Sequence, residues 1–249
     1  MSEILLQMWE PQRQSIIESH QFYVEQAKSR LLLKFDNIEE ESERYVEEWL
    51  DKRSKNYFDP DFHDPAEIYE QANDEMVDFY LNLQELHKNV LFSILSGMFH
   101  KWEKELREWL INEMRHWRGA KKLREKIWSL NIKQIFDLFK DFGWDIYSEP
   151  FFEKLDTCRV LVNVYKHGNG NSFEELKQKY PEYIVDPLAS SNKNYSTELQ
   201  YLDHTNVEFE NKHLDIFEES ITNFWKSVPQ NIFEEDVISI PNWLQKIWK

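Results

Sequence analysis

From Ala66 to Trp117 the chain runs 52 residues with no proline and a single glycine, Gly97. Proline and glycine are the residues that most strongly interrupt a helix, so this stretch has little to stop helical growth. Leu83, Leu86, Val90, Leu91, Ile94, Met98, Trp102, Leu106 and Trp109 mark a long stripe at helical spacing, the pattern of a face turned to a core. A single helix of that length lies far beyond the usual ~10–14 residues, so a bend or short turn is expected near residues 82–84 or at Gly97. The full chain of 249 residues holds only five glycines and eight prolines. That supply of turn residues is too small for a β-rich fold. The expected class is all-α.

The flanking segments agree with that class. Residues 4–34 place Ile16, Ile17, Tyr23, Ala27 and Leu31 at helical intervals. An acidic helix is expected over 36–51, with Glu39, Glu40, Glu41, Glu43, Glu47 and Glu48 set against Tyr45, Val46, Trp49 and Leu50. The Pro- and Asp-rich run from Asn56 to Pro65 is the first clear break. Beyond Gly119, one helix is expected over 120–142 and another over 149–167, the latter stopping at Gly168-Asn169-Gly170. Ser172-Phe173-Glu174-Glu175 has the form of a capping box opening a short helix to Tyr180. Residues 184–206 are polar and irregular, and a last helix is expected over 211–228. The aromatic tail at 229–249, with Trp243 and Trp248, is expected to fold back on the bundle; the other option is docking into a neighbour within a larger assembly. Together these describe one helical domain over 1–249, an antiparallel bundle of about six or seven helices.

Charge and cysteine content narrow the function classes. Forty-six Asp and Glu against thirty Lys and Arg give a net charge of −16. Such a surface repels nucleic acid at long range and argues against a general DNA-coating protein, although an RNA-cutting site needs only a few cations in a cleft. The lone Cys158 excludes an intramolecular disulfide and a thiolate-rich metal centre, and it reads as a small buried hydrophobe. No signal peptide or membrane span is legible, so a cytoplasmic protein is expected. His100 and Glu103 share a helix face without a third ligand at zinc spacing. Asp59-Pro60-Asp61-Phe62-His63-Asp64, with Glu70 beyond, echoes a calcium loop but has Asp64 where the sharp turn needs glycine; a turn is expected instead. No glycine loop that cradles phosphates is present. Neither a metal nor a cofactor is expected.

The segment Cys158 to Gly170 carries the most chemistry. Asp156, Arg159, Asn163, Lys166 and His167 fall on one helical side at steps of three and four, while Phe152, Leu155, Cys158, Val160, Leu161, Val162, Val164 and Tyr165 cover the rest. A helix this apolar sits deep in a bundle, so its narrow polar strip faces a cleft, a partner or solvent. Lys166 and His167 in the last turn also follow ordinary helix C-terminal grammar, where cations favour the dipole.

Arg159, Asn163 and His167, followed by Gly168, resemble the signature helix of the HEPN superfamily (higher eukaryotes and prokaryotes nucleotide-binding domains). Asn163-Val-Tyr-Lys-His167 reproduces that family's spacing of a polar residue, three residues and His. The family sets its Arg beside the polar residue, where this chain has Val162; Arg159 stands one turn earlier. The resemblance implies an all-helical fold and metal-independent RNA cleavage by a homodimer, in a toxin–antitoxin or antiphage (abortive infection) setting. His167 would then take the proton of a ribose 2′-hydroxyl, Arg159 would hold the charge on the phosphate, and Asn163 would orient phosphate or imidazole. Arg159 and His167 lie about 12 Å apart along one helix at ~1.5 Å per residue. Two such helices packed antiparallel about a two-fold axis would bring Arg159 of one subunit to His167 of the other.

A second segment fits RNA. Arg115-His-Trp117-Arg118-Gly-Ala-Lys121-Lys122-Leu-Arg124-Glu-Lys126 sets six basic residues against one acid. Its cations are expected to contact phosphates and Trp117 to stack a base, with Lys166 adding a further contact; a solvated helix end explains the same charges without RNA. The rival function is a non-catalytic HEPN-like or unrelated helical binding or regulatory protein, such as an antitoxin, an immunity protein or a complex subunit. Its acidic surface would suit a basic protein partner, and Val162 at the family's Arg position favours it.

Overall fold

The computed structural model describes residues 3–56, 64–117, 119–186 and 201–248. Among them are nine α-helices and one two-stranded antiparallel sheet, so the chain is all-α. In order these are β1 (Ile4–Gln7), α1 (Glu10–Arg30), α2 (Ile38–Asn56), α3 (Pro65–Glu113), α4 (Ala120–Ser129), α5 (Ile132–Asp141), α6 (Phe152–His167), α7 (Asn171–Lys179), α8 (Asn211–Ser227), β2 (Asn231–Phe233) and α9 (Asn242–Trp248).

Three expectations about the elements are corrected. The long apolar stretch is one helix, α3, with no interruption at 82–84 or at Gly97. Gly97 is a point of close approach: a β-carbon there would fall 2.1 Å from the Tyr23 hydroxyl of α1. The stretch expected as one helix over 120–142 is two, because Asn131 caps α5. The Asn131 Oδ1 accepts from the Gln134 backbone N–H at 2.9 Å, and the Gln134 Oε1 accepts from the Asn131 N–H at 2.9 Å. Residues 4–7 are a strand rather than the start of a helix. The strand pairs with β2 in the register Ile4↔Phe233, Leu6↔Ile232 and Gln7↔Asn231, irregular between Ile4 and Leu6. Helix α3 anchors that strand, with the Trp109 Nε1 donating to the Gln7 carbonyl at 3.2 Å and Glu113 accepting from the Gln7 N–H at 2.9 Å.

The chain divides into two compact units. The larger comprises Met1–Val24 and Leu95–Lys249. Its core is an aromatic cluster from α3, α5 and α8: Trp102 meets Phe224 edge-on at 5.2 Å, Trp109 stacks near Phe139 at 6.1 Å, and Phe224 meets Trp225 at 5.2 Å. The tail lies within this unit, through β2 and through α9, whose Leu244 is buried and whose Ile247 lies against Gly119. The second unit, Glu25–Ile94, has a smaller interior that includes Leu32, Ile38, Ala72, Leu91, Phe92 and Ile94. Within it Tyr45 stacks on Phe79 at 4.1 Å and Phe35 on His87 at 4.9 Å. Of the polar segment at 184–206, residues 187–200 lie outside the described residues. Ile184 forms an antiparallel bridge with Val207.

Candidate functional site

Helix α6 buries every residue from Leu155 to Val162, including Asp156 and Arg159. Arg159 is only 7% exposed, and its guanidinium is committed. Its Nε donates to Asp156 Oδ1 at 2.6 Å and its Nη2 to Glu175 Oε1 of α7 at 2.7 Å. Around this pair a network closes. Lys179 Nζ bridges Asp156 Oδ2 at 3.1 Å and Glu175 Oε1 at 2.8 Å; Lys133 Nζ of α5 reaches the same Glu175 oxygen at 3.0 Å; and the Tyr180 hydroxyl donates to Asp156 Oδ2 at 2.8 Å.

The electrostatics follow from these contacts. Burial by itself would raise the Glu175 carboxyl, but hydrogen bonds from Lys179, Arg159 and Lys133 outweigh it and bring its pKa down to about 2. Asp156 is lowered in the same way, burial opposing and Arg159, Tyr180 and Lys179 prevailing. Burial pulls Arg159 down, yet its two carboxylates hold it above the ordinary guanidinium value. Three cations and two anions thus tie α5, α6 and α7 together. The expected capping box at Ser172 does not form: the N-cap of α7 is Gly170 without a side-chain cap, and the Glu175 carboxylate turns to Arg159 and the lysines.

The other polar residues of α6 have a different setting. Asn163 is half-buried, while Lys166 and His167 are exposed on the last turn. None of the three has a hydrogen-bond or ion-pair partner among the described residues. Gly168 ends the helix with φ at 63°, its N–H bonded to the Val164 carbonyl at 2.8 Å. Within one chain Arg159 and His167 are therefore not brought together. Two nitrogens of the Arg159 guanidinium, Nε and Nη2, are already held by carboxylates.

Comparison with models of known families, with curated proteins and with solved structures finds no match.

The basic segment lies on the same unit. Arg115, Lys121 and Lys122 are exposed. Arg124 is exposed and loosely paired with Glu108 at 3.4 Å. Trp117 is half-buried, its ring tilted against Phe142 at 6.1 Å, and Arg118 lies outside the described residues. No group of three metal-ligating side chains gathers among the described residues; His100 Nδ1 and Glu103 Oε2 stand 3.7 Å apart. Of the calcium-like loop at 59–64, residues 59–63 fall outside them. Cys158 is fully buried, and burial raises its thiol far above the ordinary value, which removes it as a nucleophile. No described helix is long and apolar enough to cross a membrane.

Glu175 is not legible in the sequence as a partner of Arg159, nor are Lys179, Tyr180 and Lys133 as donors to the carboxylates Arg159 meets, although Glu175 and Lys179 stand at ion-pair spacing on α7. His204 and Asn169 carried no sequence signal either. The Asn169 Oδ1 accepts from the His204 backbone N–H at 2.9 Å and lies 3.2 Å from its Nδ1.

Proposed function

We propose that the protein is a HEPN-like, metal-independent endoribonuclease in which His167 is the acid–base residue and Arg159 is part of the frame. His167 takes the proton of a ribose 2′-hydroxyl, the 2′-oxygen attacks the adjacent phosphorus, and the 5′-oxygen leaves with a proton, giving a 2′,3′-cyclic phosphate and a 5′-hydroxyl. Lys166 supplies the nearby cation and Asn163, one turn earlier, the amide donors. Arg115, Lys121, Lys122 and Arg124 supply phosphate contacts on the same unit. The protein would work as a homodimer in the cytoplasm, in a toxin–antitoxin or antiphage role. One observation carries the reading: α6 is buried without a break from Leu155 to Val162, and beyond that stretch its exposed polar groups are gathered in the last turn, at Lys166 and His167. Purified protein is expected to cleave RNA in EDTA, and His167→Ala to lower the rate by about 10²–10⁴. Undiminished cleavage by that variant, or none by the wild type, overturns the proposal.

A second reading is favoured by the commitment of Arg159 to Asp156 and Glu175. With the α6 guanidinium serving these two carboxylates, the chain would be a helical binding or regulatory protein whose acidic surface meets a basic protein partner. A wild type that is harmless on expression and inert toward RNA selects this reading.

A further inference from the structure

The end of α6 carries a second imidazole. A β-carbon built on Gly168 would lie 3.6 Å from Cε1 and Nε2 of His204 and 3.7 Å from Cδ2, so the His204 ring covers the residue that follows His167. The ring is also oriented. The backbone N–H of His204 is a fixed donor, so the Asn169 atom that it meets at 2.9 Å is the amide oxygen. That same oxygen lies 3.2 Å from Nδ1, where it can face only a protonated nitrogen. The hydrogen on Nδ1 leaves Nε2 as the nitrogen that gains and loses the working proton.

The backbone beneath this ring is held at several points. Asp203 and Asn206 close a reciprocal capping box around the turn His204–Asn206. Leu202 and Val207 on either side are buried. The Val185 N–H donates to the Asn206 carbonyl at 2.9 Å and the Glu208 N–H to the Tyr183 carbonyl at 2.9 Å. The ring itself is exposed. An imidazole exposed on a braced turn, with Nδ1 beside a fixed amide oxygen, has the geometry of an acid–base group oriented by a third residue.

We propose that His204 is the general acid of the site, paired with His167 as the base, and that its substrate is an RNA phosphodiester. This rests on the endoribonuclease reading above. In its protonated form His204 keeps Nδ1–H on Asn169 and gives the Nε2 proton to the departing 5′-oxygen as the P–O5′ bond breaks. His167 meanwhile accepts the 2′-hydroxyl proton as the new P–O2′ bond forms. Proton exchange with solvent then returns His167 to its neutral form and His204 to its protonated form, so atoms and charge balance without a metal.

The test compares RNA with a mixture of nucleoside 3′-(4-nitrophenyl phosphates), whose leaving group departs without protonation. His204→Ala and His204→Asn, the latter keeping an amide donor for Asn169, are each expected to lower RNA cleavage by about 10²–10⁴. Both are expected to cleave the activated esters within a few fold of wild type, whereas His167→Ala loses both substrates. A His204→Asn protein that cleaves RNA like wild type overturns the assignment while leaving the endoribonuclease reading intact. So does an equal loss on RNA and esters, which would mark the ring as structural. If the wild type cleaves neither substrate, the endoribonuclease reading falls and the assignment with it.

Discussion

Arg13, Arg107 and Arg159 are all buried, and each is explained by what its guanidinium touches. Arg13 donates to the carbonyls of Trp225 and Lys226, the latter at 3.1 Å, at the end of α8, where a cation offsets the helix dipole. Arg107 does the same at the Ile127 carbonyl of α4. Each has an acid three or four residues upstream, Glu10, Glu103 and Asp156, and that half of the pairing is visible in sequence. The other half is not, because Trp225, Ile127 and Glu175 reach these positions only through the fold. Arg159 is therefore expected to act on stability. Replacing it by Met leaves the buried Asp156 and the half-buried Glu175 with fewer cations, at a cost on the order of 3 kcal/mol. Denaturant melts of Arg159→Met measure this directly. A variant that unfolds like wild type would instead show that the guanidinium is not part of the frame.

The helices follow from their periodicity, and the departures from it have local or distant causes. α6 and α8 begin and end close to where the apolar spacing places them, while α2 runs past its expected end at residue 51 to Asn56. The gap between α4 and α5 contains neither glycine nor proline, so a reading built on breakers passes over it. The signal is the reciprocal Asn131–Gln134 pair, four letters of local chemistry that satisfy the first N–H groups of a new helix. β1 has no local signal of comparable strength, since its partner β2 lies more than two hundred residues away. Ser172 and Glu175 show the converse: a capping-box pattern is overridden when its carboxylate finds a buried arginine. For α5 the expected consequence is specific. Asn131→Ala should cost about 1 kcal/mol, and Gln134→Ala added to it should cost little more, because one box is already broken. A thermodynamic cycle of the two single variants and the double checks this, and strictly additive losses would show that the two side chains do not act as a pair.

Over the whole molecule, charge and burial both bear on stability. The unit Glu25–Ile94 has 18 acidic against 8 basic residues, so it holds −10 of the net −16. Such an excess of like charge opposes the compact state through self-repulsion. His20 adds a dependence on pH. It is wholly buried in α1, and neither ring nitrogen has a hydrogen-bond partner among the described residues. Burial, helped by the positive charge of Lys101, lowers its pKa from 6.5 to about 4. The folded chain thus keeps the ring neutral at a pH where the unfolded chain has already protonated it. Its contribution is complete above pH 6.5 and is lost as pH falls toward about 4, a change of up to about 3 kcal/mol. His20→Leu fills similar space and does not titrate. Its unfolding free energy should match or exceed that of wild type at pH 7.5, where two unsatisfied ring nitrogens are removed, and the advantage should widen at pH 4.5. Urea titrations of both proteins at the two pH values decide it: parallel losses would mean that the His20 ring is hydrated or paired in solution rather than held neutral in the core.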